Sequence, residues 1–432
     1  MAKKPAPKVS IEPQLHLQAR GCMVTKIKKA EPLRFHLLGA TDLKPLNALT
    51  TQFTESVIRM MSRICDQYGG INLAQGFPDW DTPDLVKEAA VKAIRDGWNQ
   101  YAVTWGQPGL RRALAERVAL YNKIECDPDT QITVTCGATE GMIAALKALI
   151  NPGDEVVIFE PFYENYGPDT LLSGATPRYV TLRPPDWSFD PGELAAAFNS
   201  RTKAVVMNTP NNPTGKVFSR DEMEQIAGLC RQWDCYCVSD EIYEYILYGQ
   251  AEHISMASLP GMADRAVIIN SVSKTYSATG WRVGWVIASP EVTAAVKKVH
   301  DFLTVGAPAP LQEAVAAALE LPEEYYQGLR DRYQKARDYL YGRLKEQGLN
   351  PNLPQGAYYI IIEEPGLMAE LGAADDFELA KKLIEVTGVA TVPGSSFYAD
   401  PQKGRHQVRF CFCKKMETLE KAGQGLARLN RQ

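Results

Sequence analysis

From about Asp127 onward the sequence alternates short, almost wholly apolar runs with longer amphipathic ones, and few architectures accept that rhythm. The runs at 131–136, 155–160, 203–208, 235–240, 265–271 and 283–288 read as strands. The stretches at 140–150 and 220–232 read as helices between them. Strands alternating with helices predict a mostly parallel sheet between helical layers. Strands that are apolar at consecutive positions predict a sheet buried on both faces. After about Pro310 the rhythm changes. Residues 312–347 read as one long helical stretch, followed by strands at 358–362 and 408–413. This predicts a second, smaller α+β domain.

The 432 residues exceed one ordinary core. Residues 1–40 carry eight Lys or Arg and two acids, Glu12 and Glu31. They read as a partly flexible extension, 1–45, whose acids and low serine content argue against a transit peptide. Residues 46–80 are expected to join the small domain, 81–305 to form the large domain and 306–432 the rest of the small one. A net charge of −4 gives no reason to expect nucleic-acid binding. No apolar run of the ~18 residues needed for a membrane span occurs. No apolar leader opens the chain, so a cytoplasmic protein is expected. Nine cysteines suit no paired framework. Cys235 with Cys237, and Cys411 with Cys413, are expected on one strand face each, as buried thiols. Gly215-Lys216 is followed by Val217 rather than Ser or Thr, and no GxGxxG opens a helix, so nucleotide binding is not indicated.

Four motifs carry chemistry. Ser271-Val272-Ser273-Lys274 ends a strand, and an amine in so apolar a setting has a depressed pKa and becomes a usable nucleophile and base. Thr135-Cys136-Gly137-Ala138-Thr139 joins a strand to a helix, where free backbone N–H groups can meet an anion. Asn208-Thr209-Pro210-Asn211-Asn212 closes another strand with amides able to read a ligand oxygen. Ser239-Asp240-Glu241-Ile242-Tyr243 places a carboxylate at a strand's carboxyl end, where α/β sheets bind ligands. Taken singly, each is as readily a turn, a cap or a surface lysine. Their order on one scaffold is what counts.

In that order the chain resembles the class I aminotransferases of the pyridoxal 5′-phosphate (PLP) type I fold, over roughly residues 46–429. The subgroup it resembles contains kynurenine aminotransferase (glutamine transaminase K) and the bacterial methionine and aspartate aminotransferases. The resemblance implies a large three-layer sheet domain plus a smaller α+β domain, and a ping-pong transfer of an amino group from an L-amino acid to a 2-oxo acid. It implies that Lys274 is the Schiff-base lysine and that Asp240 faces the pyridinium nitrogen. Tyr243 and Asn212 would bond the ring oxygen, and Tyr163 would stack on the ring. Ala138, Thr139, Ser271 and Arg282 would hold the phosphate, with Ser273 as a further contact. Tyr101, in Asn99-Gln100-Tyr101, matches a tyrosine that reaches the phosphate from a second subunit, which implies a homodimer with shared sites. Arg409 matches the arginine that takes the substrate α-carboxylate, assisted by Asn212 and the Gly76 N–H. No metal is implied.

Departures bear on substrate. Kynurenine aminotransferases carry a tryptophan where Ile58 stands, and a phenylalanine and histidine after the Val299-His300 equivalent, where this chain has Val305 and Gly306. The pocket is therefore expected to be less aromatic, leaving aspartate, glutamate, methionine or a broad range of donors. His300 reads as structural. A PLP β-lyase of the cysteine-conjugate type and a non-catalytic PLP-binding regulator are the alternatives.

Overall fold

The side chains of the central strands sort by parity. In Thr202–Asn208, Val205 and Met207 join one buried cluster while Ala204 and Val206 join another. Cys237 and Val238, or Ile268 and Ile269, divide the same way. Successive strand residues point to opposite faces, so both faces of this sheet are covered, as the continuous apolar runs require.

The computed structural model describes residues 44–429, and the chain from Leu49 onward packs as one unit. The proposed extension at 1–45 lies almost wholly outside the described residues. Strand β1 is Ile71–Asn72, and β2 to β8 are Ile132–Thr135, Glu155–Glu160, Thr176–Thr181, Thr202–Asn208, Tyr236–Asp240, Ala266–Ser271 and Gly284–Ile287. Strands β9 to β12 are Tyr359–Glu363, Val389–Ala390, Val392–Pro393 and Gln407–Cys411. The large sheet has the order β2-β8-β7-β6-β5-β3-β4. Its pairings are parallel except for β8, which runs antiparallel to both β2 and β7. A second sheet, β11-β12-β9, is antiparallel, and β1 pairs parallel with β10. The segment before residue 80 is thereby sewn to the C-terminal part of the chain.

Register places the chemistry. Asn208 sits opposite Asp240, so the ends of β5 and β6 are level. Ser271 and Thr135 both sit opposite Gly284, so the ends of β7 and β2 flank the start of β8. Four motif-bearing strand ends therefore share one edge of the sheet.

Two expectations need correction, and one strand of the large sheet was not expected. The helical stretch at 312–347 is two helices, Ala309–Leu319 and Glu323–Glu346. Pro322 caps the second, and proline cannot continue the first. The amphipathic pattern runs through the break and hides it. The cysteine pairs do not share strand faces: Cys235 precedes β6 and Cys413 lies beyond β12. All four are buried free thiols. Finally, edge strand β4 has exposed and half-buried positions over most of its length, so it lacks the continuous apolar signature by which its neighbours are recognised.

Candidate active site

The anion end of the site is a helix terminus. Gly137 precedes the helix Ala138–Leu149 and makes no side-chain cap, so the Ala138 and Thr139 N–H groups have no carbonyl one turn back. The loop is pressed tightly onto its neighbours. A Cβ on Gly137, whose φ is +83°, would lie 2.3 Å from Arg282 Nη2. A Cβ on Gly284 would lie 2.7 Å from the Ala138 nitrogen. Only glycine admits both approaches. Ser271 and Ser273 border the same space, and the Ser271 hydroxyl accepts from the Ser273 N–H at 3.2 Å. Arg282 holds a left-handed φ of +55° and donates to the Thr279 carbonyl at 2.9 Å. Backbone N–H groups, hydroxyls and a guanidinium at a helix N-terminus are groups that could hold a phosphate.

Lys274 follows on the short helix Val272–Thr275. Its Nζ donates to the Gly76 carbonyl at 3.1 Å. Burial pushes the amine down to about 8, with Arg409 and Arg282 lowering it further against the opposing pull of Cys413 and Asp240. A substantial neutral fraction at physiological pH is what a nucleophilic amine requires. Asp240, at the end of β6, is 8% exposed. Burial pushes its carboxyl up to about 6, opposed by the Tyr166 hydroxyl, which donates to Oδ2 at 2.7 Å. A buried carboxyl with so little to neutralise it is suited to a cationic ring nitrogen.

The opposite wall comes from remote segments. Arg409, on β12, donates through Nη1 to Asn212 Oδ1 and through Nη2 to the Ala74 carbonyl, both at 2.7 Å. Its guanidinium lies 4.2 Å from the Tyr359 ring centroid. Asn212 Oδ1 is thus engaged, which leaves its NH₂ as the donor available to the cavity. The Tyr243 and Tyr359 hydroxyls are 3.0 Å apart. The Gly76 loop is held by Lys414, which donates to the Phe77 carbonyl at 2.9 Å. A Cβ on Gly76 would lie 2.1 Å from the Tyr359 oxygen, so this wall too is built around a glycine.

Together these walls enclose a cavity of about 460 Å³. Gly76, Ala138, Thr139, Tyr163, Asn212 and Asp240 line it, with Tyr243, Ser271, Ser273, Lys274 and Arg282. Residues 68–426 match the family of class I and II aminotransferases. The chain belongs to that family. It is 38% identical to kynurenine–oxoglutarate transaminase 1 of Homo sapiens, over 83% of this chain and 92% of that protein. It is 36% identical to the methionine aminotransferase of Escherichia coli, over 88% and 97%. Among solved structures it superposes on N-succinyldiaminopimelate aminotransferase of Mycobacterium tuberculosis with a TM-score of 0.85 and 36% identity, over 89% of this chain and all of that one. The fold is the aspartate aminotransferase-like PLP type I fold, and the protein is a PLP-dependent aminotransferase that moves an amino group between amino acids and 2-oxo acids.

Two expected residues lie outside the cavity of this aminotransferase. Arg409 is fully buried, one layer behind Asn212 and Tyr359. Tyr101 is 89% exposed and borders a separate hollow that also includes Val305 and Gly306. The Gly76 carbonyl accepts from Lys274 and from the Tyr358 hydroxyl, the latter at 2.9 Å. Sequence reasoning missed Tyr166, Tyr359, Arg59 and Glu164, all of which line the cavity. Only Tyr166 carried a signal, standing three residues beyond Tyr163 at the start of a helix. His300 is buried between the Glu140 carboxylate at 3.0 Å and the Thr104 carbonyl at 2.9 Å, away from the cavity.

Proposed function

We propose that Lys274 carries PLP and is the base that moves the proton of the substrate's α-carbon. The observation that supports this is the convergence of Lys274, Asp240 and the helix-terminal cradle on one cavity. Bound PLP supplies an electron sink. Asp240 keeps the ring nitrogen protonated, and Tyr166 orients that carboxylate. The Ala138 and Thr139 N–H groups, Ser271, Ser273 and Arg282 hold the phosphate. Tyr163 packs against the ring, while Tyr243 and the Asn212 amide serve the ring oxygen. Arg409 takes the substrate α-carboxylate in exchange for Asn212 Oδ1, because its planar fork suits two oxygens, with Gly76 closing the site.

In the same reading residues 46–80 and 306–432 form a small domain against a large one at 81–305, which the β1–β10 pairing supports. The working form is a homodimer in which Tyr101 completes the partner's phosphate site. Tyr101 at 89%, Phe302 at 92% and Val305 at 49% exposure favour a partner there. The eight described cysteines are free, which suits the cytoplasm. Among the described residues no helix is long and apolar enough to cross a membrane. The donor range is aspartate, glutamate, methionine or broader. The test is a panel of L-amino acids mixed with PLP-loaded enzyme, read by absorbance. Conversion to the pyridoxamine form is expected, and no conversion by any of them overturns the assignment.

A further inference from the structure

Two guanidiniums around the cavity, Arg59 and Arg282, are exposed and have no acidic partner within ion-pairing distance among the described residues. Arg282 donates to the Thr279 carbonyl beside the helix terminus, whereas the Arg59 guanidinium has no hydrogen-bond partner among the described residues either. Two carboxylates of the neighbouring segments, Glu55 and Glu164, make their hydrogen bonds elsewhere, although Glu55 still feels the Arg59 charge. Glu55 receives a two-point pair from Arg63, at 2.7 and 2.9 Å. Glu164 accepts from the Ser56 hydroxyl. Ser56 also caps the helix Val57–Gln67, accepting from the Arg59 N–H at 3.3 Å, so the root of the Arg59 side chain is fixed at the first turn. The Arg59 charge is felt at Tyr163, inside the cavity. Ile58 and Phe77 add apolar surface to the cavity, and Ser56, Gln75 and Asn165 add neutral polar surface.

We infer that Arg59 determines specificity by receiving the distal carboxylate of an acidic amino acid or its 2-oxo acid. This rests on the reading above, in which Arg409 takes the α-carboxylate. An unpaired guanidinium gains a two-point, charge-assisted partner only from an acidic side chain. A neutral side chain would leave it hydrated at the rim. A cationic one would be repelled by the Arg59 charge. Preference for acidic over neutral substrates therefore originates at this residue rather than in the aromatic bulk of the pocket.

The test uses PLP-loaded enzyme and two unreactive ligands, succinate and butyrate, titrated by the absorbance of the bound cofactor. The wild type should bind succinate at least tenfold more tightly, and added salt should narrow the gap. Arg59→Gln should reduce the succinate-to-butyrate affinity ratio at least tenfold, and Arg59→Lys should retain part of it. In turnover, Arg59→Gln should lower the glutamate-to-methionine ratio of kcat/KM by a similar factor. Glu164→Gln should keep or increase the succinate preference. An unchanged ratio in Arg59→Gln, or loss of the preference in Glu164→Gln instead, overturns the inference. If no amino acid converts the wild-type cofactor, the catalytic reading fails, while the succinate and butyrate titrations still report on Arg59.

Discussion

The two walls of the cavity are built on different principles. The wall on the sheet side is made from the ends of β2, β5, β6 and β7, where Asp240 and Ser271 end their strands and Ala138, Asn212 and Lys274 follow theirs by three or four residues. The opposite wall gathers Arg59, Gly76 and Tyr359 with Arg409 behind them, and the bonds of Arg409 to Asn212 and Ala74 join segments hundreds of residues apart. The first is a property of adjacent strand ends in a parallel sheet. The second exists only after the N-terminal segment has paired with the C-terminal one, as β1 does with β10. On our reading the sheet-side wall does the chemistry common to every substrate. The opposite wall decides which substrate arrives.

Substitutions can separate these roles. The largest effect is expected for Lys274→Ala on the sheet side. It should remove the visible absorbance of lysine-bound PLP and lower turnover by about 10²–10⁴-fold, as loss of a general base does. Near-normal turnover would break the division outright. On the opposite wall, Arg409→Lys should keep PLP bound but lower kcat/KM about 10–100-fold for every substrate, because an ammonium lacks the planar fork. Loss of PLP in that variant would mean that the two walls are not separable.

Asp169 tests the scaffold beneath the sheet-side wall. It lies on the helix Tyr166–Leu172, its Oδ2 has no hydrogen-bond partner among the described residues, and burial pushes its carboxyl from 3.8 up to about 7. The folded state thus holds a proton that the unfolded chain releases in that interval, so stability falls as pH rises through it. Asp169→Asn should be neutral near pH 4 and stabilise by about 1–3 kcal/mol above pH 7. Denaturant melts at the two pH values decide this, and a gain confined to acid would reverse the sign. The smallest effect is expected for Tyr166→Phe, which removes one hydrogen bond to Asp240, worth about 1 kcal/mol. PLP affinity should fall several-fold, and the pH dependence of the cofactor spectrum should move, since the Asp240 carboxyl rises further without its donor. A spectrum that titrates as in the wild type would show Tyr166 to be packing alone.

The same division governs what could be read from the chain before folding. Lys274, Asp240, Asn212 and the Ala138–Thr139 turn were legible because each sits in a short motif beside an apolar strand. Neighbouring parallel strands then bring such motifs together without further information. The hidden break at Pro322 and the missed β4 show where pattern fails: periodicity passes through a proline, and an edge strand lacks the buried signature. Arg409 was found by family resemblance, yet its place behind Asn212 and Tyr359 was not predicted. Nothing in the sequence near Tyr166 names Asp240 as its partner, and nothing near Arg59 shows that Glu55 pairs with Arg63 instead.

The sequence by itself determined the both-face-buried sheet, the loops at its carboxyl edge and the buried-strand setting of the amine that, on our reading, carries the chemistry. These follow from local periodicity and strand-end chemistry. Only the tertiary structure decided which side chains oppose that wall, which charges are paired and which guanidinium is left over. Those outcomes depend on packing between segments far apart in the chain, and whether a charge is satisfied is a property of its neighbours rather than of its own residue.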